Sequence, residues 1–172
     1  FNAYSLLADP AGIRFEDEPG MQVYTYHLRP TSEGSVLVTS ADPAAPPRVD
    51  ANYLDTDYDK RTAVAGVRAN RRIMSQPAMQ PYVVGETEQT AYAQSDEEIL
   101  GLFRKFGHSG YHAVGTAAMG PDETDVVDHR LRVRGVQGLR VMDCSIFPEI
   151  PAGNTNAPTI AASAHASELI LA

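Results

Sequence analysis

Two stretches of the chain carry residue types that move protons and gather charge: Gly110-Tyr111-His112-Ala113-Val114-Gly115-Thr116 and Asn154-Thr155-Asn156-Ala157-Pro158-Thr159-Ile160. A histidine in a glycine-rich loop is a candidate general base, because imidazole changes its charge near neutral pH and a loop can present it to a substrate. On residue chemistry alone, a histidine in such a loop reads first as a hydrogen-bonded structural residue, with the general base as the alternative. Asn156 stands before Ala157-Pro158 and a run of small residues, which is the pattern of a helix start with Asn as N-cap and Pro in the first turn. Such a start exposes unpaired N–H groups and a partial positive charge, able to stabilise negative charge on a nearby ring system.

The remaining candidates are weaker. His108 and His112 have the four-residue spacing of a helical metal pair, but Gly107 and Gly110 break helicity there and no third ligand follows at a recognisable spacing, so no metal site is expected. Cys144 is the only cysteine, which excludes an internal disulfide, and nothing adjacent marks it as an activated thiolate. Asp143 ends an apolar run and precedes two small residues, which suits either a turn-forming or capping acid or close approach to a ligand. His27, His129 and His165 fit a strand, a charged turn and a helix face, and none is assigned a chemical role.

These residues need elements to position them. Gln22 to Leu28 and Ser35 to Thr39 are rich in β-branched and aromatic residues around a turn at Arg29-Pro30, predicting two antiparallel strands. Asp42-Pro43 and Pro46-Pro47 predict an extended loop. From about Asp57 to Ser75, Val64, Val67 and Met74 recur near helical spacing before Pro77, which predicts a surface helix with Arg68, Arg71 and Arg72 on a solvated face. Gln80 to Ala93 lacks periodicity and reads as a loop. Ser95 and Glu98 form a capping box for a short helix with an apolar face of Ile99, Leu102, Phe103 and Phe106, stopped by Gly107. Leu139 to Ser145 reads as a strand and turn, and Ile160 to Leu171 as a helix.

At 172 residues, with 14 basic and 22 acidic side chains and a net charge of −8, the chain is long enough for a sizeable core and lacks the clustered Lys and Arg of a nucleic-acid or anionic-membrane surface. No apolar run approaches the roughly 20 residues of a membrane span. A soluble, cytoplasmic protein is expected. The Ala-, Pro- and acid-rich opening from Phe1 to Gly20 has no initiating Met and reads as internal to a longer polypeptide.

The ordered set of Tyr111-His112-Ala113-Val114-Gly115-Thr116, Val127-Asp128, Leu131-Arg132-Val133, Gly138-Leu139-Arg140-Val141, Asp143-Cys144-Ser145 and Asn154-Thr155-Asn156-Ala157-Pro158-Thr159 closely resembles the C-terminal part of the glucose-methanol-choline (GMC) oxidoreductases. A weaker similarity reaches back to Leu28-Arg29-Pro30. The resemblance implies an α+β chain in two lobes: residues 1–106 as part of an antiparallel-sheet substrate-binding lobe, and residues 107–172 as the closing strand and C-terminal helix of a Rossmann-like FAD lobe. It implies FAD-dependent oxidation of an alcohol, with His112 as the base and Asn156 as its partner, the His/Asn type of the family. It further implies that Tyr111, Asp143, Cys144, Asn156, Pro158 and Thr159 lie around the cofactor, Cys144 standing where a small Ala or Gly is expected.

No Gly-x-Gly-x-x-Gly follows a strand, so the unit that holds the ADP half of FAD in this family is missing here. A second polypeptide carrying the dinucleotide-binding fold is therefore expected. A non-catalytic structural or interaction subunit, and a related lyase, are the alternative readings at this point.

Overall fold

The computed structural model describes residues 2–9 and 12–171, and shows a mixture of helices and short strands. By internal contacts the chain forms two compact units, one of residues 1–27 and 56–109, the other of residues 28–55 and 110–172.

Among the described residues, the first unit is built on three helices. α1 (Asp57–Met74) starts at Thr56, whose hydroxyl accepts from the Asp59 N–H at 3.2 Å, and ends at Ser75, ahead of Pro77. Its inward face carries Ala63 and Val64, with Val67 and Met74 half-buried, as the helical spacing predicts. α3 (Asp96–Phe106) has the expected capping box, with Glu98 N–H to Ser95 Oγ at 3.3 Å and Ser95 N–H to Glu98 Oε2 at 2.9 Å. Gly107 ends α3 in extended backbone, and glycine is required there for space: a Cβ would lie 2.3 Å from the Phe103 carbonyl oxygen.

Between these helices the expected loop contains a single helical turn, α2 (Glu88–Ala91). Arg71 is not on a solvated face. Its guanidinium forks onto Glu86 at 3.0 and 2.9 Å and also donates to the carbonyls of Thr90 and Ala93 at 3.0 and 2.7 Å. One planar cation thus satisfies carbonyls that the short turn cannot pair itself, which is why a stretch without periodicity acquires a fixed path. Arg68 pairs with Asp96 at the head of α3.

The predicted strand at Gln22–Leu28 does not form; only Gln22 bridges, to Asn2. Thr25 and His27 of this segment lie against α1 instead. His27 Nδ1 lies 3.3 Å from the buried Asp59 carboxylate and its ring 5.1 Å from that of Tyr58, while a Cβ on Gly66 would meet the Thr25 side chain at 2.7 Å. β-propensity measures fit to a half-buried surface, and here a helix provides that surface. A hairpin that the composition did not signal, β1 (Leu6–Asp9) with β2 (Gly12–Phe15), completes the unit.

In the second unit, β3 (Ser35–Leu37) pairs antiparallel with β4 (Arg48–Asp50), not with residues 22–28. The Pro-rich segment between them is the connection of this hairpin, closed by Ala44 N–H to Asp42 Oδ1 at 2.9 Å and Thr39 Oγ1 to the Pro46 carbonyl at 2.9 Å. The core of the unit is Val127, Leu131, Ile146 and Ala166, with Met119, Val133, Val141, Met142 and Phe147 packed around it. Leu139–Ser145 is not a full strand. It makes two rungs with residues 131–133, Val133 N–H to Leu139 O at 3.0 Å and Val141 N–H to Leu131 O at 3.1 Å, then turns into a 3₁₀ turn at Cys144–Ile146. A segment with one partner over two rungs has too few ladder bonds to propagate further. α4 (Asn156–Leu171) ends the described chain.

Asp128 organises the turn at 128–132. Its carboxylate accepts from the Arg132 guanidinium at 2.7 and 2.9 Å and from the N–H groups of Arg130 and Arg132 at 2.8 and 3.0 Å. The Arg132 side chain, ahead of the backbone donors, holds this carboxyl well below the usual carboxylate range. A carboxyl depressed by folding contributes stability that is fully present above its unfolded value of about 4 and is lost as the pH falls through the folded value. Asp128→Asn is expected to lower the melting temperature of the protein at pH 7 and to flatten its decline below about pH 4. Superimposable acid-unfolding curves for the two proteins would remove Asp128 from this role.

Candidate active site

The loop that bears His112 is fastened through its backbone. Gly115 and Ala117 both donate to the Ser145 carbonyl at 3.1 Å, and Met119 donates to the Ile146 carbonyl at 2.8 Å. Gly115 takes φ +89°, a conformation that favours glycine. These bonds lash residues 115–119 along the 3₁₀ turn, and Cys144 Sγ reaches the Ala113 carbonyl at 3.5 Å. The turn is set by Asp143, whose carboxylate accepts from the Ser145 N–H at 2.7 Å. Hydrogen bonds from Ser145 keep that carboxyl lowered, so it stays ionised as a cap.

His112 is half-buried, and its Nδ1 lies 3.3 Å from Thr155 Oγ1, 43 residues further along the chain. This contact brings the two chemistry-bearing stretches together. Thr155 is 8% exposed and occupies the N-cap position that the sequence pattern gave to Asn156: its carbonyl accepts the first helical bond, from Thr159 N–H at 3.0 Å, and also the Thr159 hydroxyl at 2.6 Å. Asn156 is instead the first residue of α4, exposed to solvent. The reason is the run Asn154-Thr155-Asn156, three cap-forming residues in succession, among which local propensity does not choose.

The other predicted residues fall around this centre. Pro158 and Thr159 are half-buried in the first turn of α4, while Asp143 and Cys144 stand in the turn beneath the His112 loop. Tyr111 has φ +62° and is 81% exposed, so the residue before His112 holds a left-handed conformation that bulky side chains rarely adopt. His108 is exposed, with Nδ1 2.9 Å from the Ser109 carbonyl, and lies in the first unit. Among the described residues no group of three His, Cys, Asp or Glu side chains is placed to hold a metal, and no helix is long and apolar enough to cross a membrane. Thr155 is the residue that sequence reasoning missed; its only signal was membership in the Asn-Thr-Asn run.

The electrostatics at the start of α4 favour an electron-rich partner. The N–H groups of Asn156 and Ala157 precede the first intrahelical bond, and both residues are exposed. The arrangement therefore holds a positioned imidazole beside a helix start able to stabilise negative charge.

Comparison with known proteins converges on one family. The family model described as GMC oxidoreductase matches residues 30–163. An alcohol dehydrogenase [acceptor] of Pseudomonas putida is 41% identical over 151 residues, 86% of this chain and 27% of its own length. An oxygen-dependent choline dehydrogenase of Photobacterium profundum is 38% identical over 169 residues, 94% of this chain and 30% of its own length. Among solved structures, an FAD-dependent oxidoreductase from Chaetomium thermophilum superposes with a TM-score of 0.75 at 32% identity, over 84% of this chain and 25% of that one. The chain thus spans between a quarter and a third of the length of the relatives it matches.

Proposed function

Because the chain belongs to the GMC oxidoreductase family, we propose that it supplies the proton-handling end of a flavoprotein that oxidises an alcohol. The observation that carries this reading is the contact between His112 and the buried Thr155 at the head of α4, which sets an imidazole beside the positive end of a helix. FAD is the cofactor of this family, and when bound it supplies the acceptor for the hydride that leaves the carbinol carbon as the alcohol becomes a carbonyl compound.

The residues present fit that cofactor. The unpaired N–H groups at the start of α4 suit a ring that gains electron density, and Asn156, Pro158 and Thr159 would line its edge. The Cys144 turn and the exposed Tyr111 ring would border the same space. Asp143 would contribute through the turn it caps, since its carboxylate is engaged by Ser145. His112 takes the hydroxyl proton and Asn156 orients the hydroxyl oxygen, so that the proton departs as the C–H bond breaks.

On this reading residues 107–172 belong to the FAD side and those before 107 to the substrate side, with residues 28–55 packing on the former group. The dinucleotide-binding fold that would hold the ADP half is supplied by another part, a separate polypeptide or a separate fragment. The test is anaerobic addition of choline and of simple primary alcohols to the assembled flavoprotein. Bleaching of the flavin absorbance is expected, and a bound flavin that no primary alcohol reduces would overturn the reading.

Asn156→Asp sharpens the same experiment. An acid in the first turn of α4 is favoured by the helix dipole by about 0.3–1 kcal/mol, so the melting temperature should hold. Bleaching should slow, because the added negative charge opposes hydride delivery beside it. Normal bleaching kinetics in this variant would leave Asn156 with a structural role only.

A further inference from the structure

Pro158 leaves the cap of α4 short of a donor. An N-cap hydroxyl ordinarily accepts from the backbone N–H of the second or third helical residue. With Thr155 at the cap, the third helical residue is Pro158, which has no N–H, so one of the two usual partners of the Thr155 hydroxyl is absent. That hydroxyl, on a residue only 8% exposed, lies instead 3.3 Å from His112 Nδ1. The carbonyl of the same residue is engaged by Thr159 through both its N–H and its hydroxyl, which pins Thr155 in place.

From this geometry we infer that Thr155 is a positioning residue for His112, its hydroxyl holding Nδ1 so that Nε2 faces the alcohol. The inference rests on the reading of His112 as the base and adds to it the group that aims it. In the neutral ring one nitrogen carries the proton and the other the lone pair. The inference assigns the tautomer in which Nδ1–H donates to Thr155 Oγ1, and the lone pair that receives the alcohol proton is then on Nε2. The hydroxyl also fixes the ring plane, since a half-buried imidazole held at one nitrogen cannot swing about its Cβ–Cγ bond without losing that contact. The contact joins parts of the chain that are fixed independently, the loop through its bonds to the 3₁₀ turn and the cap through α4.

The experiment compares Thr155→Ser, Thr155→Gly and Thr155→Val in the assembled flavoprotein, following flavin reduction by excess alcohol in anaerobic stopped flow, with flavin content and melting temperature measured alongside. Serine keeps both hydroxyl and cap, glycine keeps most of the capping ability without the hydroxyl, and valine keeps the size without either. Ser is expected within about threefold of the parent rate, and Gly and Val about 10- to 100-fold slower with flavin still bound, as a misaimed catalytic group costs up to about 10²-fold. Gly reducing flavin at the parent rate would show that Thr155 is only a cap. Ser as slow as Val would show that the hydroxyl is not what matters, and Val faster than the parent would show that the hydroxyl blocks the basic nitrogen; each overturns the inference. Should Val fail to retain flavin, the Ser and Gly pair decides. His112→Ala in the same series separates the two levels: if it reduces flavin normally, the assignment of the base fails, whereas a slow His112→Ala beside a normal Thr155→Gly removes Thr155 alone.

Discussion

Replacing His112 with Ala is expected to slow alcohol oxidation by the assembled flavoprotein by about 10²-fold or more, because a positioned general base typically contributes 10²–10⁴-fold. The flavin should remain bound and the loop should keep its path. Residues 115–119 are held to the 3₁₀ turn by backbone N–H groups, and the His112 side chain takes no part in those bonds. The loss should therefore fall on the reduction step rather than on folding. His108→Ala is the matched control: an exposed imidazole beside its neighbour's carbonyl has little to lose, and turnover should change by less than about threefold. Unchanged turnover in His112→Ala would take this residue out of the mechanism, and a greater loss in His108→Ala would reassign the base.

The second large effect concerns the 172-residue chain by itself, which is expected to come out colourless, inactive and self-associating. A folded monomer of 18.6 kDa exposes about 8,000 Å², and two separate domains of half that mass would together expose about 10,000 Å². This chain exposes 12357 Å², beyond either figure. The excess is rich in apolar groups: Val38 and Leu171 are 88% and 86% exposed, Val49 66% and Ile160 62%. Among the described residues both sheets are two-stranded, and such hairpins are marginal without a further surface to pack on. α4 has no distinct apolar face, its small and apolar residues being interspersed with His165, Glu168 and two serines, and of its residues Ala166 alone is buried among those described, which leaves Ile160, Ile170 and Leu171 exposed. Co-expression with the part that carries the dinucleotide-binding fold should cover this surface and yield a yellow, active assembly. A monodisperse, flavin-loaded, active protein from the 172 residues alone would refute the requirement for that part.

What the sequence determined by itself was local. α1 and α3 were legible from the spacing of their apolar residues, α1 also from Pro77 beyond its end and α3 from Ser95 with Glu98 and from Gly107, because groups that cap a helix lie within a few residues of the bonds they complete. The two chemistry-bearing stretches were legible as well, one from a histidine among glycines and the other from cap-forming residues before a proline. Tertiary structure decided what those local signals left open. Residues 22–28 had a strand's composition and found a helix to lie on; Ser35–Leu37 paired with a strand beyond the prolines; Arg71 fixed the path of α2 through contacts 15 to 22 residues away. The cap of α4 passed from Asn156 to Thr155 and left its hydroxyl facing His112 across 43 residues. Capping and periodicity are set by neighbours along the chain, so they can be read from it. Which surface a segment packs on, and which hydroxyl meets which imidazole, depends on groups that only folding brings together.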